Sequence, residues 1–227
     1  MWITANHLVA PGFDPLKVPF EKKVEIFRAF TDVWFLAVAY QAIEGHQNPD
    51  GSEAINLYNP QKEKYEKYLP HAGWAVLHLV MNYFEVIGCF RCGMIKTKKY
   101  QSGFNKTRFK DGFKQVIVTL SPYYRQYFFD DLINNEDASD HLWDFRNGLF
   151  HAGDIKSPII ISGGYEFSIK YRPDRDVLQI NPHRFVPMLR LHLELYVKEL
   201  LAAKEGSKIR TNFELAYTDR YTVKKTN

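Results

Sequence analysis

Cysteine is scarce in this sequence of 227 residues, which contains only Cys89 and Cys92. Two cysteines cannot build the disulfide framework of a small secreted protein, so a reducing cytoplasm is the expected environment. Long apolar runs are also missing, since the most apolar stretch, residues 33–40, is far below the ~20 residues that a membrane span needs. The N-terminus lacks the basic-then-apolar pattern of a signal peptide. The sequence therefore predicts a soluble, cytoplasmic protein without a membrane partner.

Several short motifs of catalysis and metal binding are absent as well. The sequence contains no Gly-x-Ser-x-Gly and no His-Glu-x-x-His, and no Gly-Lys-Ser/Thr follows Gly163-Gly164. The pair Cys89-x-x-Cys92 lies late in a predicted helix without two further ligands nearby, which argues against a zinc or thioredoxin-type site. We therefore predict no metal and no cofactor.

The composition favours one sizeable domain. Hydrophobic residues make up 45% of the chain and aromatic residues 15%, which is enough side-chain area for a large core. We predict a single helical domain over residues 1–206, with an N-terminal arm and a β insertion, and a polar, basic C-terminal tail over residues 207–227. The net charge of +4 is compatible with a polyanionic partner but is not the dense basic stripe of a dedicated nucleic-acid-binding protein.

Apolar residues recur at three- and four-residue steps in several stretches, which predicts helices. The strongest of these stretches are residues 20–44, 71–91 and 182–204. Residues 112–120 fit helical spacing better than a strand, whereas the basic, glycine-containing residues 93–111 predict a loop. The pattern as a whole indicates a mainly α fold, a bundle of four to six helices.

The spacing of apolar residues changes from a helical to a strand-like pattern near residues 158–180. Residues 158–162 and 165–171 are rich in β-branched and aromatic side chains, and Gly163-Gly164 between them predicts a two-residue hairpin turn. A second turn at residues 172–175 precedes a third short strand. We therefore predict a small β-hairpin or meander inserted into the helical bundle.

The densest polar chemistry lies in residues 144–151, whose sequence is DFRNGLFH. This stretch offers a carboxylate, a guanidinium, an amide and an imidazole among apolar side chains that are typical of a core. We predict a helix that is capped by Asp137 or Ser139 and ends near His151, because Ala152-Gly153 is a helix stop.

Helical geometry separates the two most reactive side chains of this stretch. On an ideal helix, Asp144, Asn147 and His151 form one polar ridge, while Arg146 lies about 140° from His151. Arg146 can join the ridge only through its long side chain, through unwinding at Gly148, or from a second copy of the protein.

The stretch RNGLFHAG resembles the Arg-x4–6-His signature of the HEPN domains, in the form with asparagine after arginine. Two upstream segments, NYFEVIG at residues 82–88 and FKDGF at residues 109–113, are similar to HEPN proteins in a less specific way. The resemblance covers residues 20–152 and the final helix. It implies an up-and-down helical bundle that is often a homodimer, in which the motifs of two protomers face each other across a cleft.

The resemblance also implies an activity, that of a metal-independent endoribonuclease. Arg146, His151 and Asn147 would then be the catalytic residues, and Asp144 and Glu85 would support them. The residue types suit the cleavage of single-stranded or loop RNA by its own 2′-hydroxyl, because histidine moves protons near neutral pH and arginine pairs with phosphate oxygens. RNA is the expected substrate, and an antitoxin or regulatory protein is a further expected partner in a toxin–antitoxin or defence role.

A second interpretation needs no turnover. The chain would be a non-catalytic HEPN-like interaction module that binds a nucleotide, an RNA or a protein partner. Arg146 would form a salt bridge inside the bundle, with Glu85 as its partner, and His151 would cap the helix C-terminus. The environment of Arg146 separates the two hypotheses, since an arginine buried in an internal ion pair favours the module.

Overall fold

The structure is a computed structural model that describes residues 2–4, 7–8, 14–44, 57–59, 64–66, 73–93, 103–124, 131–132, 136–151 and 158–222. Its helices are α1 (Phe20–Thr31), α2 (Val38–Glu44), α3 (Gly73–Cys92), α4 (Phe104–Leu120), α5 (Glu136–His151), α6 (Pro182–Ala202) and α7 (Lys208–Tyr221). Its strands are β1 (Trp2–Thr4), β2 (His7–Leu8), β3 (Leu57–Asn59), β4 (Lys64–Glu66), β5 (Ile159–Ile161), β6 (Ile169–Arg172) and β7 (Val177–Ile180). The predicted fold class is confirmed, because the protein is mainly helical and carries a small three-stranded sheet.

The first predicted helix is confirmed over its whole length. α1 and α2 are continuous through Asp32–Ala37, which form a π-helical segment. Val24 and Phe27 of α1 and Leu36 of the π segment are buried, as the apolar spacing requires. Asp32 in the wide turn forms an ion pair with Arg190 of α6, with Nε and Oδ1 3.1 Å apart.

α3 is the central helix of the bundle. Its length and composition alone would suit a membrane span, but 56% of its apolar window is buried inside the protein. α4, α7 and α2 all pack on it. Its apolar surface is therefore used by neighbouring helices, as expected for a core helix.

α3 and α4 cross at two glycines. A Cβ atom added to Gly112 would lie 1.8 Å from the carbonyl oxygen of Phe84, and one added to Gly88 would lie 2.0 Å from that of Arg108. The backbones are thus in direct contact, which only glycine permits. The two segments that we singled out beside the motif, residues 82–88 and 109–113, are the two sides of this crossing.

The prediction of a loop over residues 93–111 is wrong from Phe104 onwards, because α4 begins there. Gly103 precedes the helix at φ 88°. From Phe104 onwards the region is an amphipathic helix, with Lys106 and Lys110 partly exposed and a buried face that begins with Arg108 and Phe109.

The predicted hairpin at Gly163-Gly164 is wrong, although the sheet lies where we expected it. β5 pairs in parallel with β7, and β6 pairs antiparallel with β7, so the strand order is β5-β7-β6. Asn181 holds the connecting segment, because its Nδ2 donates to the carbonyls of Gly163 (3.0 Å) and Tyr165 (2.6 Å). These hydrogen bonds fix the segment that connects β5 and β6, which lie on opposite sides of β7.

The C-terminal region is ordered by packing. α6 starts after Asn181, whose side chain caps its first turn, and it closely matches the predicted final helix. Residues 208–221, which the sequence analysis described as polar tail, form α7. Phe213 and Tyr217 of this helix are buried against the core.

A buried histidine makes the stability of this core sensitive to acid. His192 of α6 shares a 2.6 Å hydrogen bond with the hydroxyl of Tyr83, and burial together with the Arg91 cation lowers the pKa of His192 to about 3. The unfolded chain takes up this proton near pH ~6.5, whereas the folded chain does not until about pH 3. Protonation therefore favours the unfolded state between these values, and stability is lost as the pH falls.

As the pH falls through this range, we expect the free energy of unfolding to decrease by up to about 1.4 kcal/mol per pH unit because of this histidine alone. Urea unfolding between pH ~6.5 and ~4 measures the slope. The variant His192→Gln should have a shallower slope than the wild type, and equal slopes would contradict the assignment.

Candidate functional site

α5 carries the motif and ends at His151, as predicted. The predicted cap is wrong, because the helix already begins at Glu136 and the Ser139 hydroxyl donates to the Glu136 carbonyl (2.8 Å). Phe145 is fully buried and stacks on Trp74 of α3, with ring centroids 5.4 Å apart. The placement of the His151 side chain lies outside the described residues.

Arg146 forms an ion pair inside the bundle. Its Nη2 lies 2.5 Å from Oε1 of Glu85 on α3, and the side chains are only 15% and 12% exposed. Arg146 also packs over the ring of Trp143 at 5.2 Å and donates from Nη1 to Oδ1 of Asn147 (3.2 Å). The structure therefore joins three of the predicted site residues, Arg146, Asn147 and Glu85, in one contact group.

A second arginine, Arg108 of α4, completes this group. Its Nη2 lies 3.5 Å from Oε2 of Glu85, so the two oxygens of one carboxylate face two guanidinium groups. Arg108 is not among the predicted site residues, because the sequence predicts a loop at this position. The missing signal was its spacing, since Arg108 precedes the buried Gly112 and Val116 by four and eight residues.

Asp144 lies apart from this group. Its side chain is exposed, and its charge acts on Lys106, whose pKa is raised mainly by a hydrogen bond with Asp140. Asp140 is paired with both Lys106 (2.6 Å) and Lys110 (3.2 Å). Of the predicted ridge, Asn147 therefore contacts Arg146, whereas Asp144 is exposed and acts on Lys106 only through its charge.

The small sheet is hydrogen-bonded to the middle of α5. His141 of α5 lies 2.7 Å from Oδ1 of Asp176, and the Tyr171 hydroxyl donates to the same oxygen at 2.6 Å. These hydrogen bonds, from Tyr171 first and then from His141, lower the pKa of Asp176. The β insertion thus contacts the motif helix through one carboxylate.

The chemistry available to these residues is electrostatic. Among the described residues, no group of three His, Cys, Asp or Glu side chains is arranged to hold a metal ion. Burial raises the pKa of the thiols of Cys89 and Cys92, which makes both poor nucleophiles. The group of Glu85, Arg108 and Arg146 carries one positive charge in excess, which suits an anion. In comparisons with family models, curated proteins and solved structures, nothing matches this chain.

Proposed function

We propose that this chain is a HEPN-like module that binds RNA through its phosphates and does not cleave it. The observation that carries the proposal is the ion pair of Arg146 with Glu85. A catalytic arginine has to direct its guanidinium at the phosphate under attack. Arg146 instead directs it at a carboxylate of its own bundle, in a position that is mostly buried.

The ion pair has a clear structural role. It joins α5 to α3 across the bundle core, and breaking such a buried pair from one side costs about 3–5 kcal/mol. The hydrogen bond from Arg146 to Asn147 and the contact with Trp143 fix the same guanidinium further. The presence of asparagine directly after arginine in the motif is thereby explained without a reaction.

The charge of the site supports RNA as the ligand. Glu85 neutralises only one of its two arginines, and Asp140 neutralises only one of Lys106 and Lys110 of α4. The chain as a whole carries a net charge of +4. Phosphate contacts of this kind give affinity for RNA without base specificity.

The HEPN resemblance supports the setting of the module. We propose a cytoplasmic homodimer in which the α5 helices of two protomers approach each other, with an antitoxin or regulatory protein as a further partner. The β insertion, which contacts α5 through Asp176, is the part of the chain that goes beyond the HEPN resemblance.

The second candidate function is the metal-independent endoribonuclease. The excess positive charge beside Glu85 favours it, because such a charge would stabilise the extra negative charge on phosphorus during 2′-hydroxyl attack. His151, the last residue of the same helix, would move the proton.

One assay separates the two candidates. Purified protein is incubated with a mixed RNA pool and a chelator, and both bound and cleaved RNA are measured. We expect the wild type to retain intact RNA on a filter and to release no fragments. The variant His151→Ala should bind RNA as the wild type does, because histidine has no catalytic part in the module.

Cleavage by the wild type in the presence of chelator, lost in His151→Ala with the helical signal unchanged, would overturn the module and establish the ribonuclease. Absence of both binding and cleavage would exclude RNA as the ligand.

A further inference from the structure

The two arginines beside Glu85 are held unequally. The contact of Arg146 with Oε1 is 2.5 Å, which is a tight ion pair, whereas that of Arg108 with Oε2 is 3.5 Å. Coulomb attraction weakens with distance, and 3.5 Å is also beyond the usual length of a charged hydrogen bond. Glu85 therefore binds Arg146 firmly and Arg108 loosely.

Arg108 also has hydrogen-bonding capacity that the protein does not use. Its side chain is 10% exposed, and its Nε and Nη1 are buried without a hydrogen-bond partner among the described residues. Its other neighbours are the ring of Phe104 at 5.7 Å and the thiol of Cys89, which burial keeps neutral. Buried N–H groups of a cation are costly when they have no acceptor.

We infer that Arg108 is the phosphate ligand of this module and that Arg146 is not. Arg108 exchanges its loose contact with Glu85 for an incoming phosphate group, while the pair of Arg146 and Glu85 stays intact. The inference rests on the proposed RNA-binding function and assigns its anion-binding residue.

Phosphate is the anion that the site fits best. After the exchange, Glu85 and Arg146 neutralise each other and the one remaining charge is the guanidinium of Arg108. Once Nη2 has left Glu85, that group offers Nε and Nη2 as adjacent donors, the same fork with which Arg190 binds the two oxygens of Asp32, and this fork binds two oxygens of a phosphate. Lys106 and Lys110 on the same helix add positive potential, although both are paired with Asp140.

The test is calorimetric titration of the folded chain with inorganic phosphate, a nucleoside monophosphate and a short single-stranded RNA, all at equal ionic strength. Arg108→Gln should weaken the binding of each phosphate ligand at least about tenfold. The matched control is Lys114→Gln, which removes the same charge from an exposed position of the same helix and should bind phosphate as the wild type does. Arg108→Lys keeps the charge but loses the fork, and should bind at an intermediate strength.

Three outcomes would overturn the inference: a wild type that does not bind inorganic phosphate, an Arg108→Gln variant that binds it as the wild type does, or acetate that binds as well as phosphate. If Arg108→Gln does not fold by circular dichroism, Arg108→Lys and the wild-type titration decide the matter. RNA binding that survives in Arg108→Gln leaves the proposed function standing and removes Arg108 from it. Binding of inorganic phosphate by the wild type without binding of RNA would keep Arg108 as the anion ligand and exclude the proposed RNA-binding function.

Discussion

Gly112→Ala is expected to destabilise the protein by at least about 3 kcal/mol, or to prevent folding altogether. In the middle of an ordinary helix this substitution would stabilise by about 1 kcal/mol, because alanine has the higher helix propensity. Here the added Cβ would lie 1.8 Å from the carbonyl oxygen of Phe84 and 2.7 Å from the amide nitrogen of Gly88. Both are backbone atoms of α3, so the two helices would have to move apart.

Chemical denaturation of the purified variant measures this effect. Gly164→Ala is the control, because an added Cβ there meets only the hydroxyl of Ser162 at 3.5 Å, and its stability should change by less than about 0.5 kcal/mol. A Gly112→Ala variant as stable as the wild type would show that α3 and α4 do not cross at this glycine.

Glu85→Gln is expected to cost about 3 kcal/mol of stability, although the two side chains have nearly the same shape. The change leaves Arg108 and Arg146 close together in a mostly buried position without the carboxylate that holds both. The loss should be largest at low salt, where repulsion between the two guanidinium groups is least screened.

The control for this prediction is Glu194→Gln. Glu194 pairs with Arg28 at 2.8 Å, but both side chains are about half exposed, so the loss should stay below about 1 kcal/mol. Adding Arg108→Met to Glu85→Gln should recover part of the stability, since it removes one of the two uncompensated charges. A Glu85→Gln variant no less stable than Glu194→Gln would contradict the buried cluster.

The helical part of the fold could be predicted because its signal is local. Residues 20–44 and 182–202 repeat apolar side chains over many turns, and the boundaries observed are close to those expected. α4 was found only from residue 112 because its first two turns are dominated by lysines and a buried arginine. The spacing of Arg108 to Gly112 and Val116 could have placed it on the buried face, but its pairing with Glu85 on another helix could not be predicted from local sequence.

For a related reason, the position of the sheet in the chain is predicted correctly but the pairing of its strands is not. Gly163-Gly164 is a strong local turn signal, but the outcome was decided by Asn181, which lies 17 residues after Gly164 and binds the segment around it. In the candidate site, too, local signals could be predicted and contacts between distant residues could not. Sequence pattern singled out Arg146, Asn147 and Glu85, whereas Arg108 depends on how α3 and α4 cross.

The strand order has a consequence for how the chain acquires its structure during synthesis. β7 is the central strand of the sheet and the last of the three to leave the ribosome, while β5 and β6 do not pair with each other. Neither can gain its ladder of hydrogen bonds until residue 180 has emerged, whereas α3, α4 and α5 are already complete. During synthesis, β5 and β6 therefore stay unpaired and prone to aggregation until β7 has emerged. The contact of α5 with the sheet, through His141 and Asp176, also forms only at that stage.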